Sequence, residues 1–519
     1  MTPLSPQPAS EFDAYAAAHL LWRAGFGGTW EQATELADLG IDGAVERLVD
    51  FAPTTELAAP DCASLPEESA KEFEARVADL PDEESRQKAR HARNEQARLQ
   101  IAEMKFWWLD RMMSTSPRVG GVPPLEEKLT LFWHSHFATG YQDKIELTFP
   151  LWQQNQTFRS LALARFPDQL RALIRDPAML VWLDNASSDR HRPNENFARE
   201  LMELFSTGVG PYSEKDVKES ARALTGFSVN RDDWTFHFRD KAHDPEEKIF
   251  FGQSGAFSGD DVVRIICEQP ATAHFMARKL LDYFVCTQPD PEMITPVAEA
   301  YRASGYDLKA LLRELFRSRL FYSDRVRNAV VKTSVSLAIG ALKSMRVPLP
   351  ANDLTLDSLR LMGQDLFFPP DVNGWPGGAD WINSNTLLVR YNFANFLMYG
   401  VSPDEFKVFE RKMIDRGTSR REFLKEQRKE SLVTWSPRAH LEKSGEIRRM
   451  VTSKDIADYY LREFLQRKPS RDLRDAIVQL AETDGSGGRR SMSVSDPNFD
   501  DRARGLVHLI MSSPDYQLT

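Results

Sequence analysis

The seventeen residues 192–208 (RPNENFARELMELFSTG) contain a helix start, two unlike faces and a helix stop, and this combination commits the surrounding chain to helix packing. Pro193 and Asn194 supply the N-terminal punctuation, Glu195 places a carboxylate where the helix dipole favours it, and Gly208 ends the run. At about 100° per residue, Phe197, Leu201, Leu204 and Phe205 share one face. Asn196, Arg199 and Glu203 share the other, with Glu200 on the boundary. The plain account of that polar face is a ladder of i,i+4 ion pairs from Glu195 through Arg199 to Glu203. The functional account makes it one wall of a site.

The same periodicity recurs along most of the chain. It predicts helices at 15–23, two within 30–51 broken at Gly40, and further helices at 125–137, 157–175, 194–207 and 213–225. After a break it returns at 259–268, 271–285, 292–303, 307–317, 327–345, 355–363 and 385–397. Residues 65–98 read as a charged helical hairpin broken near Leu80-Pro81, and the helix turns apolar at 104–113. Residues 403–450 read as charged helix and 454–482 as two helices, followed by a Gly/Ser/Arg-rich linker at 484–497. Only 227–251 alternates aromatic and polar residues as strands do. With no βαβ alternation, the expected fold is mostly α, a large multi-helix domain with a small antiparallel β-hairpin region near 227–251. The expected divisions are an N-terminal helical segment (1–64), a charged excursion (65–100), a core domain (101–400) and a C-terminal segment (401–519). A final helix at 501–512 is expected to pack back on the body through Leu506, Val507, Leu509 and Ile510.

Composition narrows the function classes. Hydrophobic residues are 42% of 519, enough for a large buried core, and the formal charge of −10 comes with no basic arm, so nucleic acid is not an expected partner. Cys62, Cys267 and Cys286 are too few and too scattered for a disulfide framework, which fits a reducing compartment. No basic n-region with an apolar h-region opens the sequence, and no window approaches eighteen uninterrupted apolar residues. The expectation is a cytoplasmic protein without a membrane span. A serine-hydrolase elbow, a phosphate loop and a dinucleotide fingerprint are all absent.

Several stretches in one order carry a resemblance: HLLWRAGFG (19–27), LTLFWHSHF (129–137), 194–204, YSEKDVKESAR (212–222) and ALTGF (223–227). It continues through His243-Asp244-Pro245, ARKL (277–280), GQDLFFPP (363–370), GWPGG (374–378) and SSPDYQ (512–517). Together they resemble DUF1800, a bacterial family of unknown function, over nearly the whole chain. The resemblance brings no catalytic residues with it. It implies relatives that are often exported, from which this chain differs in lacking a recognisable signal.

Function is therefore argued from side chains. His134 and His136 close the 125–137 segment, and Glu127 shares a face with His134. Joint ligation by the two histidines requires the helix to unwind around Ser135. An HxH pair beside carboxylates suits a divalent ion, iron, zinc or manganese, with Glu200, Glu127 and His243 as further ligands. Glu200, Glu203, Arg199 and Asp216 are the expected catalytic groups, in a pocket roofed by the Trp- and Pro-rich loop at 367–381. The resulting reading is a metal-dependent enzyme, an oxidoreductase or hydrolase. The alternative is a non-catalytic helical scaffold whose charged segments, 65–98 and 403–450, bind a partner protein.

Overall fold

Capped helices of one to four turns make up most of the chain, and local sequence explains their starts. The computed structural model describes residues 4–66, 68–141, 144–400, 435–483 and 488–519. Asp13 caps Ala14–Arg23 by accepting from the Ala16 amide, and Thr29 with Gln32 forms a capping box on Trp30–Asp38. Ala70–Ala78 and Glu83–Met113 form the charged pair, broken at Leu80-Pro81 as expected. The second of these runs without interruption through residue 100. The exposed excursion is thus the free end of a helix whose other end buries Met104, Trp108, Leu109 and Met112.

Pro124–His136 is the central helix. Every residue in it except Ser135 is buried, so it is enclosed on all sides rather than amphipathic. Its neighbours include Thr148–Ser160 and Phe166–Leu173. The single helix expected at 157–175 is two, because Pro167 favours a first turn and chain entry at extended Arg165. Glu195–Glu203 is capped by Asn194, which accepts from the amides of Asn196 and Phe197, and Ser213 with Asp216 boxes the start of Glu214–Ala223. The β region resolves into two separate two-stranded antiparallel sheets. Phe227–Asn230 pairs with Thr235–Phe238, placing Phe227 opposite Phe238, and Lys248–Phe250 pairs with Gln253–Gly255.

Gly259–Glu268, Pro270–Phe284, Pro291–Ala303 and Leu308–Phe316 follow. The helix expected from 327 begins instead at Ser334 (Ser334–Met345). Asn328 is left-handed at φ 63°, Val331 bridges Leu518, and Thr333 caps by accepting from the Ser336 amide. Asp353–Leu361 and Ser384–Tyr399 come next. The helix expected at 403–450 lies largely in 401–434, outside the described residues, as do 484–487 of the expected linker. Pro437–Ser444, Ser453–Leu465, Arg471–Ala481 and Phe499–Ser512 complete the body. The last packs on Ser384–Tyr399 and Ser453–Leu465 through Phe499, Leu506, Val507 and Ile510, whereas Leu509 faces outward. Among the described residues no helix is long and apolar enough to cross a membrane.

Two hydrophobic clusters fill the interior. One gathers Leu125, Leu129, Phe132 and Trp133 with residues out to Val326; the other gathers Leu131 and Trp108 with Ser334–Met345, the tryptophan loop and the C-terminal helices. Opposite faces of Pro124–His136 serve the two clusters, so this helix forms the seam of the molecule.

Candidate functional site

The side chains singled out by sequence are not gathered at one point. Pro124–His136 stays helical through His136, and its two imidazoles diverge. His134 Nε2 accepts from the Phe367 amide at 3.3 Å, with its ring packed on Phe367 and Trp375. His136 Nε2 meets the Phe205 carbonyl at 3.0 Å, so that nitrogen carries the proton. Burial drives both pKa values down to about 3, and both rings are neutral. Glu127 is enclosed by Trp108 Nε1 at 2.9 Å, by Arg159 at 2.7 and 2.9 Å, and by Arg111. Arg199 pairs with Glu214 of the next helix rather than with Glu195 or Glu203, and Glu203 accepts from the Tyr212 hydroxyl. Glu200 is half-buried, its carboxyl raised by burial and by the charge of Glu203. Asp216 accepts from the Ser213 and Phe251 amides, and His243 Nδ1 donates to the Thr225 carbonyl. Among the described residues no three His, Cys, Asp or Glu side chains lie close enough together to hold a metal ion.

The neutral histidines carry a pH signature. In the folded chain they take up protons only near pH 3, whereas unfolded histidine does so near 6.5. The unfolded state therefore binds more protons between these values, and stability falls as pH drops below about 6.5. Denaturant unfolding at pH 7, 6 and 5 should show a loss approaching about 1.4 kcal/mol per pH unit for each histidine.

A different constellation lies on the seam. A cavity of about 200 Å³ opens beside Pro124–His136, with Trp22, Trp375 and Trp381 among its walls. Its roof is the expected tryptophan loop, fastened at successive points. Asp365 pairs with Lys105, Phe367 bonds His134 through its amide and Tyr141 through its carbonyl, and Gly374 lies against the backbone of Ser135. His134 thus serves as an anchor for the roof.

The charge inside is one-sided. Arg23, Lys128, Lys279 and Lys332 line the cavity, against one acidic side chain, Asp282. Lys128 is 7% exposed and Lys332 3%. Lys128 Nζ donates to Ser336 Oγ at 3.1 Å and faces the rings of Phe26 and Tyr283; burial, with Arg23 nearby, lowers its pKa to about 7. Lys332 Nζ lies 4.0 Å from the Trp22 ring centroid and 3.8 Å from that of Tyr516. Burial depresses it strongly, helped by Arg467 and Arg390. Arg23 donates to the main-chain oxygens of Phe284, Val326 and Thr519, and burial brings it down only to about 9, so it stays charged. Among the described residues no Asp or Glu side chain pairs with Arg23, Lys128 or Lys332. At Glu127 the fold pairs buried charges, with Arg111 and Arg159, whereas Lys343 and Arg390 are held singly by neutral oxygens; the cavity differs in gathering three basic groups around one space. The two lysines ease the cost of burial by releasing their protons more readily, and an anion in the cavity would favour their charged forms. The N-terminus of Ser334–Met345, reaching the wall at Thr333 and Ser336, adds its partial positive charge.

Fold and site together define a helical protein built around a cationic, tryptophan-walled cavity. The sequence matches the family described as "Protein of unknown function (DUF1800)" over residues 19–518, and the chain belongs to that family. No curated protein and no solved structure matches it. About half of the cavity wall comes from stretches that carry the family resemblance, whereas Lys128, Lys332 and Ser336 lie outside them. Trp22 and Arg23 lie in 19–27, Phe132 and His136 in 129–137, Lys279 in 277–280, Gln364 in 363–370, and Trp375 in 374–378.

Sequence reasoning missed the lysines. One signal was present: Lys128 follows Glu126-Glu127 inside a helix apolar at 125, 129, 131, 132 and 133, so every charge on it had to be buried. Lys332, ahead of the helix cap, carried none.

Proposed function

We propose that this protein binds a small organic anion, bearing a carboxylate or phosphate group, in the cavity beneath the tryptophan loop. The observation that carries the reading is the set of buried basic side chains, Arg23, Lys128 and Lys332, around one cavity, with no Asp or Glu side chain among the described residues paired to them. A volume of about 200 Å³ is below the roughly 300–1,000 Å³ of drug-sized sites, which favours a compact ligand. Tryptophan walls suit an apolar or planar body behind the anionic head. The divalent-metal reading, iron, zinc or manganese held by His134, His136 and Glu200, is less favoured, because the lone pair of His134 Nε2 is already taken by the Phe367 amide. In the scaffold reading the cations serve the fold alone, and no anion titrates them.

The test is a titration of intrinsic tryptophan fluorescence with inorganic phosphate and with succinate. Saturable quenching in which the two compete supports the reading; its absence for both ends it. Lys332→Met should weaken binding roughly ten- to hundred-fold, the scale of a lost charge-assisted contact. It should also raise the melting temperature, because a buried amine that folding forces toward its neutral form has been replaced by an apolar side chain. A residue kept only for the fold gives the opposite sign in the melt.

The pH dependence follows from Lys128. Its folded value of about 7 lies below the ordinary 10.5, so the empty site loses this proton as pH rises through 7. An anion favours the charged form, and binding takes up a proton. Affinity should be greatest below pH 7 and decline above it, by up to tenfold per pH unit, with proton uptake visible by calorimetry in buffers of different ionisation enthalpy.

A further inference from the structure

We propose that Lys128 is the nucleophile of this cavity and forms an imine with an anion that carries a carbonyl group, which makes oxo acids the ligand class. The inference rests on the anion-binding reading above.

The cations of the cavity differ in what they can do. Arg23 gives three of its five donors to main-chain oxygens and is not a nucleophile. Lys332 Nζ is clasped between the faces of Trp22 and Tyr516, whose rings cover it on two sides and hinder approach to a carbonyl carbon. Lys279 is exposed at the rim. Lys128 is buried and lines the cavity, and its one hydrogen bond goes to Ser336 Oγ, which also lines it. Ser336 Oγ accepts in turn from Thr333 Oγ1 at 3.2 Å, so a chain of two hydroxyls reaches the amine. Burial and the Arg23 charge bring the amine near neutrality at pH 7, as a nucleophilic lysine requires.

The step balances without an external oxidant or reductant. The Nζ lone pair attacks the carbonyl carbon, a C–N bond forms, and the C–O π electrons move to oxygen, which takes a proton through Ser336. Nitrogen gives up its two protons, the C–O bond breaks, and one water leaves with the carbonyl oxygen. Arg23 and Lys332 hold the anionic end meanwhile. Lys343 is an internal control. Its pKa is also lowered to about 7 by burial, but its ammonium donates to the carbonyl and hydroxyl of Thr115, away from the cavity.

The experiment incubates the full chain with pyruvate and sodium cyanoborohydride, which reduces an imine to a stable secondary amine, and maps the adduct by peptide mass spectrometry. The expected result is an adduct on Lys128 whose yield saturates with pyruvate, that succinate suppresses, and that Lys343 does not acquire. Lys128→Arg should lose it, and Ser336→Ala should retain pyruvate binding while slowing adduct formation tenfold or more. The wild-type mapping and its suppression by succinate stand even if Lys128→Arg fails to fold. Saturable quenching of tryptophan emission by pyruvate with no adduct on Lys128, or with adducts that succinate leaves unchanged, overturns the nucleophile and leaves anion binding standing. Failure of pyruvate, phosphate and succinate alike to quench overturns both.

Discussion

Glu127→Ala is expected to cost about 3–5 kcal/mol of folding stability, the loss that follows when one partner of a buried charge network is removed. The carboxylate is fully buried, as is the Arg159 side chain that grips it, and it also accepts from Trp108 and Arg111. Burial alone pushes its carboxyl up; Arg159 and then Arg111 more than offset this and hold it below the ordinary range. Without it, Arg159 keeps only the Asn155 carbonyl and Gln156, and Arg111 keeps Thr54 and Glu126. The network ties Glu83–Met113, Pro124–His136 and Thr148–Ser160 together, so the loss should appear as a lower midpoint in urea. A change under about 1 kcal/mol would mean that water replaces the carboxylate and that the three helices do not depend on it.

Gly374→Ala is the second large effect, and it acts on the roof. Gly374 has φ 82°, and a Cβ there would sit 2.0 Å from the Ser135 carbonyl oxygen, which belongs to the central helix backbone and cannot swing aside. The left-handed backbone costs a non-glycine residue about 1–3 kcal/mol, and forced overpacking costs a similar amount. Release is cheapest at the loop, so Trp375 should leave His134 and the cavity should open. The expected reading is a melt lowered by several degrees together with loss of saturable anion quenching. Unchanged quenching in this variant would show that the loop does not close the site.

Punctuation was the most legible part of the sequence. Asn194 and the Leu80-Pro81 break each act through neighbours within four residues, and each stands where local reasoning put it. Pairing across distance was not legible. The polar face at Arg199 was read as an internal ladder, but Glu214 lies on the following helix and takes the guanidinium instead. Glu195–Glu203 also stops short of 207, because the Thr207 and Gly208 amides both turn back to the Met202 carbonyl. The candidate site shows the same limit. Periodicity could place Glu127 and His134 on one face, but it could not tell that Arg159 satisfies one and Phe367 the other. Nor could it separate a lysine that faces a carboxylate from one that faces an open cavity, since Lys128 meets Ser336 across 208 positions of chain.

The contacts of Arg23 have a consequence for biosynthesis. The guanidinium is held by Phe284, Val326 and Thr519, and the cavity beside it takes wall residues from Trp22 through Thr519. At about 5–20 residues per second, a ribosome needs roughly 25–100 s to travel between those two positions. Until the cavity encloses them, Arg23, Lys128 and Lys332, each made in turn, are ordinary solvated cations. The Arg23 contacts with Val326 and Thr519 form only after those residues have been made. An anion present as the cavity forms would be taken up as part of folding, ahead of the exchange that a titration of the folded chain follows.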